Sequence, residues 1–199
     1  MRPTVRYTFV LALAASAALP AAAIAQGAAA AAAKPAAAPS ITSDLMGDIA
    51  QAERKIMALA KAIPADKWDW RPAPGTRSIG EVLKHVAADN YLLPAAVGSA
   101  PDAATGIKGD DYKTAEAFEK RAMDHATTIA ELEKSFAHLR GTLQGTTEAR
   151  LAESIPLFGR QVTVQRTWIL TATHLHEHLG QLIAYARSNG VVPPWSQGG

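Results

Sequence analysis

At 199 residues, 48% hydrophobic and 19% charged, the chain is sized for one domain with its own core, which excludes a disordered or highly charged protein. It contains no Cys, so structural disulfides and a lipidated N-terminal cysteine are both ruled out. The formal net charge is only +2, and no stripe of Lys and Arg offers the basic face that a nucleic acid needs, so no nucleic-acid partner is expected.

Residues 1–25 read as an export signal. Arg2 and Arg6 form the positive segment, Phe9 to Leu19 the apolar one, and Ala23-Ile24-Ala25 a small-x-small cleavage site before Gln26. The apolar run is short for a membrane span, so no stable membrane anchor is expected and the mature chain is assigned to the periplasm or the exterior. Removing Arg2 and Arg6 from the 20 Lys and Arg leaves 18, equal to the 18 Asp and Glu, so the mature chain is neutral. Residues 26–40, rich in Ala and broken by Pro35 and Pro39, read as a tether. The folded domain is assigned to residues 41–199.

Within that domain, Thr42 or Ser43 is the expected N-cap of a first helix. Leu45, Ile49, Ala52, Ile56 and Leu59 give it a helical stripe to Ala62, and Pro64 stops it. The connection from Ala65 to Arg77 carries Trp68 and Trp70, read as plugs for the end of a bundle, and Arg71 and Arg77, read as surface ion-pairing residues. Ser78-x-x-Glu81 is a capping box that opens a second helix running to Val97, with Pro94 near its end. His85 lies on its apolar face between Val82 and Val86. Asp89, one turn further, reads either as the acceptor for the proton on that imidazole's other ring nitrogen or as an exposed surface carboxylate.

Gly98 to Asp111 reads as a loop, and a single third helix is expected from Lys113 to Gln144, with His125 and His138 on its surface. Residues 154–164 alternate loosely enough for a short hairpin turning at Gly159. A fourth helix follows from Val164 to Ser188, closed by Asn189-Gly190.

This last helix contains half of the chain's six histidines: His174, His176 and His178. His174 and His178 are one turn apart, offset by about 40° with a rise of about 6 Å, so both can reach one ion at ~2.0–2.1 Å. His176 points away, and His85 is the best third ligand from another helix. Gln181, about 20° from His174 after two turns, is a candidate polar residue of the pocket, while Glu177, about 100° off the ligand face, is the weaker candidate for a base. Three neutral imidazoles leave a divalent ion its full charge and an open position, an arrangement suited to lowering the pKa of water or a thiol. Imidazole does not select the metal; Zn, Ni, Mn or Fe remain open.

The motif Trp70-Arg71-Pro72-Ala73-Pro74-Gly75-Thr76-Arg77-Ser78-Ile79-Gly80-Glu81, then His85, then His174-x-x-x-His178-x-Gly180-Gln181-Leu182 and Gly190-x-x-Pro193-Pro194, resembles the DinB family across residues 41–196. The resemblance implies an all-α four-helix bundle with a metal triad on His85, His174 and His178. Many members carry a basic residue where this chain has Leu179, a difference expected at the rim of the site. Relatives that activate low-molecular-weight thiols make a metal-dependent enzyme of thiol-transferase or hydrolase type, acting on a small-molecule substrate, the first expectation. A non-catalytic metal-binding or stress-associated protein is the alternative, and a homodimer is compatible with either.

Overall fold

The structure, a computed structural model, describes residues 40–197. Residues 1–25, read above as an export signal, and all of the expected tether but Ser40 lie outside the described residues. The Ser40 hydroxyl accepts the Ser43 amide and the Ser43 hydroxyl accepts the Ser40 amide, a reciprocal box that starts helix α1 (Ile41–Ala62). The cap is therefore Ser40 rather than Thr42 or Ser43, because Ser43 is taken up as the third-position partner of that box. Leu45, Ile49, Ala52, Ile56, Leu59 and Ala60 are buried along one face of α1. Ile63 is held extended before Pro64, which ends the helix.

Trp68 folds back over the start of the next helix. Its indole N–H donates to the Ile63 carbonyl at 3.2 Å, and its ring leaves so little room that a Cβ on Gly80 would lie 3.3 Å from Cε3. The expected plug is thus Trp68; Trp70 is only half-buried. Helix α2 (Ile79–Ala96) opens on the Ser78/Glu81 capping box and carries Pro94 in its last turn.

The long third helix is in fact two: α3 (Tyr112–Glu119) and α4 (His125–Gln144). Arg121, in the break, sends its guanidinium to the carbonyls of Ala104 and Thr105 at 3.1 and 2.6 Å, and Asp124 caps α4 through the Thr127 amide at 2.7 Å. A distant loop therefore claims the chain where the helical stripe alone would have continued. A short α5 (Glu148–Leu151) leads into the expected hairpin of β1 (Ser154–Leu157) and β2 (Arg160–Thr163), paired antiparallel from Ser154↔Thr163 to Leu157↔Arg160. Its turn is Phe158-Gly159 with φ of 48° and 76°, two successive left-handed residues as a tight primed turn requires. Helix α6 (Val164–Ser188) follows, capped by Thr163.

The long helices close a ring in the order α1, α6, α2, α4, with α3 packed on α2. Helices α1 and α2, consecutive among the long helices, sit at opposite corners, so each packs on both α4 and α6. Trp168, Phe118, Phe136, Ile49, Ile56, Leu83, Leu132 and Leu139 fill the centre. No helix among the described residues is long and apolar enough to cross a membrane.

Candidate metal centre

Helices α2 and α6 pack side by side, and this seam brings His85 against His174 and His178. His85 and His174 approach Nε2 to Nε2 at 3.1 Å, and His178 and His174 at 3.0 Å. Nitrogens this close can both lie ~2.0–2.1 Å from a common point. His178 is 7% exposed and the other two are half-buried, so the site lies at the edge of the core.

The outward nitrogens define the tautomers. His85 Nδ1 lies 2.6 Å from the Glu119 carboxylate, which only accepts, so Nδ1 carries the proton and Nε2 presents a lone pair inward. His178 Nδ1 donates to Gln181 Oε1 at 2.8 Å, and Gln181 Nε2 in turn donates to the Tyr185 hydroxyl at 2.9 Å. His178 Nε2 is therefore also a bare lone pair. Burial, helped by the imidazoles of His174 and His85 and opposed by the Gln181 hydrogen bond, lowers the His178 pKa to about 4. His178 is thus neutral at neutral pH, as a ligand must be.

A single proton on His174 Nε2 would satisfy one neighbour and leave another lone pair facing it. The donor set fits a divalent metal ion. The residues that would hold it are His85, His174 and His178.

Asp89 occupies a different place from the one its spacing suggested. Its Oδ2 lies 3.1 Å from His174 Nε2 and 3.5 Å from His85 Nε2, on the inward side of both rings. The outer partner of His85 is instead Glu119, because α3 ends there and turns its carboxylate toward α2. Arg77 grips the other oxygen of Glu119 through Nε and Nη2, both at 3.2 Å. Burial raises the Asp89 pKa, but the His174 hydrogen bond and the charge of the neighbouring imidazoles prevail and hold it below the usual carboxylate range.

The remaining expectations divide. Gln181 belongs to the site, as the group that orients His178. Glu177 is exposed and off the ligand face, and His176 turns away to the Ala172 carbonyl at 2.8 Å. Leu179 is not at the rim: it is 6% exposed and part of the core. His125 is half-buried against the Trp68 ring, at a centroid distance of 4.2 Å. His138 is half-buried, its Nε2 on the Ser99 carbonyl at 3.1 Å, and burial lowers its pKa. Neither is the surface histidine its spacing suggested, because loops fold over both. Arg71 pairs with Glu81 at 3.0 Å, as expected of a surface arginine.

Residues 48–182 match the profile of the DinB superfamily. Over 136 residues the chain is 28% identical to the uncharacterized protein YjoA of Bacillus subtilis (strain 168), spanning 66% of this chain and 80% of YjoA. The crystal structure of that DinB-like protein superposes with a TM-score of 0.57 at 22% identity, covering 74% of this chain and 92% of YjoA. YfiT from Bacillus subtilis, described as a probable metal-dependent hydrolase with an unusual four-helix bundle topology, gives 0.59 at 15% identity, covering 80% of this chain and 94% of YfiT. The mycothiol-dependent maleylpyruvate isomerase gives 0.58 at 13% identity, covering 71% of this chain and 60% of the isomerase. At these identities the superpositions speak to the fold alone.

Proposed function

Since the chain belongs to the DinB superfamily, we propose that it is an exported metal-dependent enzyme of thiol-transferase or hydrolase type, binding one divalent ion through His85, His174 and His178. The observation that carries this reading is the convergence of the three Nε2 atoms, with the protons of His85 and His178 held on the outward nitrogens by Glu119 and Gln181. An ion held by neutral imidazoles supplies Lewis acidity, making a water or a thiol acidic near neutral pH. Imidazole suits Zn, Ni and Fe, and Mn completes the set to be screened. The descriptions of YfiT as a probable hydrolase and of the isomerase as mycothiol-dependent support the two reaction types named.

The chain's own residues do the positioning. Glu119 and Gln181 fix the two ring orientations, and Arg77 and Tyr185 fix Glu119 and Gln181 in turn. The substrate is a small molecule in this reading, with no nucleic acid and no stable membrane anchor, and two chains can associate as a homodimer. Periplasmic or extracellular residence is the corresponding reading of the export signal at residues 1–25.

The test is the metal content of mature protein, Gln26–Gly199, purified from periplasm without a histidine tag. His85→Ala and the double variant His174→Ala/His178→Ala are measured beside it, with His176→Ala as the control. Close to one ion per chain, lost in the first two and kept in the control, is expected. An ion retained by both ligand variants, or no uptake of Zn, Ni, Mn or Fe by the parent chain, would overturn the reading. Apo protein that stays folded but loses turnover supports an enzyme; apo protein that unfolds supports a non-catalytic metal-binding or stress-associated protein instead.

A further inference from the structure

We propose that the cleft between the end of α2 and the hairpin of β1 and β2 is a second binding site, separate from the histidine cluster. Its ligand is a small organic cation with an apolar body, the chemistry of an aromatic amine or a benzylic quaternary ammonium. The cleft has a volume of about 670 Å³, within the range of sites that hold a molecule of that size. Ala95 and Ala96 in its lining follow His85 on α2 by roughly 15 Å along the helix axis. The site therefore goes beyond the metal reading and does not depend on it.

The shape of the cleft follows from residue size. Its floor is Ala95, Ala96 and the bare backbone of Gly109, which packs directly onto the Ala95 carbonyl and could not do so with a side chain. Tyr112 and Phe158 line the cleft above this floor of small residues. They are 52% and 59% exposed, the two most exposed large hydrophobic side chains among the described residues. Two bare aromatic rings on one cavity are apolar area that a ligand can remove from water.

The backbone at Phe158 supports the same assignment. Among the described residues it is the one non-glycine residue with positive φ, at 48°, in a turn position that Asn, Asp or Gly would occupy without strain. The fold gains no packing in return, because the ring is turned to solvent; strain held without a structural gain points to a role for the ring itself. Charge then selects the ligand. Asp110 is in the lining, and among the described residues no Lys, Arg or His joins it there. A carboxylate beside two aromatic faces attracts a cation through both charge and ring quadrupole, and repels an anion.

The probe is benzyltrimethylammonium, titrated into metal-free mature protein and followed by NMR, with benzyl alcohol and benzoate as its neutral and anionic counterparts. The cation is expected to bind most tightly, the alcohol less so and benzoate not at all. Tyr112→Ala and Phe158→Asn should each weaken the cation about 5-fold, the size of one exposed cation–π contact. Phe158→Asn should keep or raise the thermal midpoint, because Asn suits the left-handed turn, so its loss of binding is not misfolding. Asp110→Asn should reduce the cation to the affinity of the alcohol, and His85→Ala should bind it as the parent chain does. Equal binding of all three probes, no binding of the cation, or full affinity in Phe158→Asn would overturn the proposal. So would loss of the cation in His85→Ala, which would place it at the histidine cluster. A chain that self-associates through Phe158 in sedimentation and binds no cation would make this face a contact between copies instead. Metal content, measured separately, reports on the histidine triad whatever the outcome here.

Discussion

Glu119 Oε1 lies 2.6 Å from His85 Nδ1, and the same carboxylate is gripped on its other oxygen by Arg77. A carboxylate in this position fixes the imidazole's tautomer and raises its basicity as a ligand. Glu119→Gln keeps the shape of the side chain and removes its charge. Metal affinity is expected to fall ~10- to 100-fold in chelator competition while the circular dichroism of the apo protein is unchanged. Unchanged affinity would mean that Glu119 serves only the surface pair with Arg77.

The pH dependence of the apo protein follows from His178. Its folded pKa of about 4 lies below the unfolded value of 6.5, so between the two the unfolded chain holds a proton that the folded chain does not. Stability from this group is therefore fully present above pH 6.5 and is lost as pH falls toward 4. The loss is on the order of 3 kcal/mol for a group this buried. Asp89, with its pKa lowered, acts in the same direction below its unfolded value. Urea melts of metal-free protein across this range check the sign, and His178→Gln should flatten the profile. A profile as steep in the variant as in the parent chain would assign the dependence elsewhere.

Gly109 is required by packing. A Cβ there would run into the Ala95 carbonyl carbon and the Ala96 nitrogen, both backbone atoms of α2 that cannot rotate away. Gly109→Ala must therefore push the loop from the helix, at a cost of about 3 kcal/mol. The urea midpoint should drop while the metal affinity of the folded protein stays as it was, since the loop meets α2 beyond the turns that bear His85 and Asp89. An unchanged midpoint would show that the loop moves aside freely.

Ser78 starts the helix that carries His85. Its hydroxyl accepts the Glu81 amide at 3.3 Å, and the Glu81 carboxylate accepts the Ser78 amide at 2.8 Å. Ser78→Ala should lower stability by about 1 kcal/mol. The loss would be read as a shift of the thermal midpoint, and no shift would mean that Trp68, packed over the same turn, suffices to hold the helix start.

Local signals served well where local physics decides. The Ser78-x-x-Glu81 box, the stripe of α1, the turn at Gly159 and the one-turn spacing of His174 and His178 all read through to the structure. The parts that did not read through depend on chain segments far apart. The stripe of apolar residues runs unbroken from Ala117 through Ala122, so nothing in the periodicity marks the break that Arg121 makes by reaching the Ala104 and Thr105 carbonyls. Glu119 stands 34 positions from His85, and its role exists only because of that break. Asp89 was visible at one turn from His85, but spacing cannot tell which nitrogen of a ring a carboxylate will face.

The arrangement of the bundle has a consequence for how such a protein can vary. Among the described residues, every group at the centre comes from α2, α6, the end of α3 or the segment before α2, and α1 and α4, packed on each other, donate none. The histidine cluster and the α1–α4 contact thus occupy separate helix pairs. Substitutions on the faces of α1 and α4 turned away from α2 and α6 leave the histidine cluster untouched, and residues along the α2–α6 seam can vary around the cluster while the α1–α4 contact still holds the bundle together.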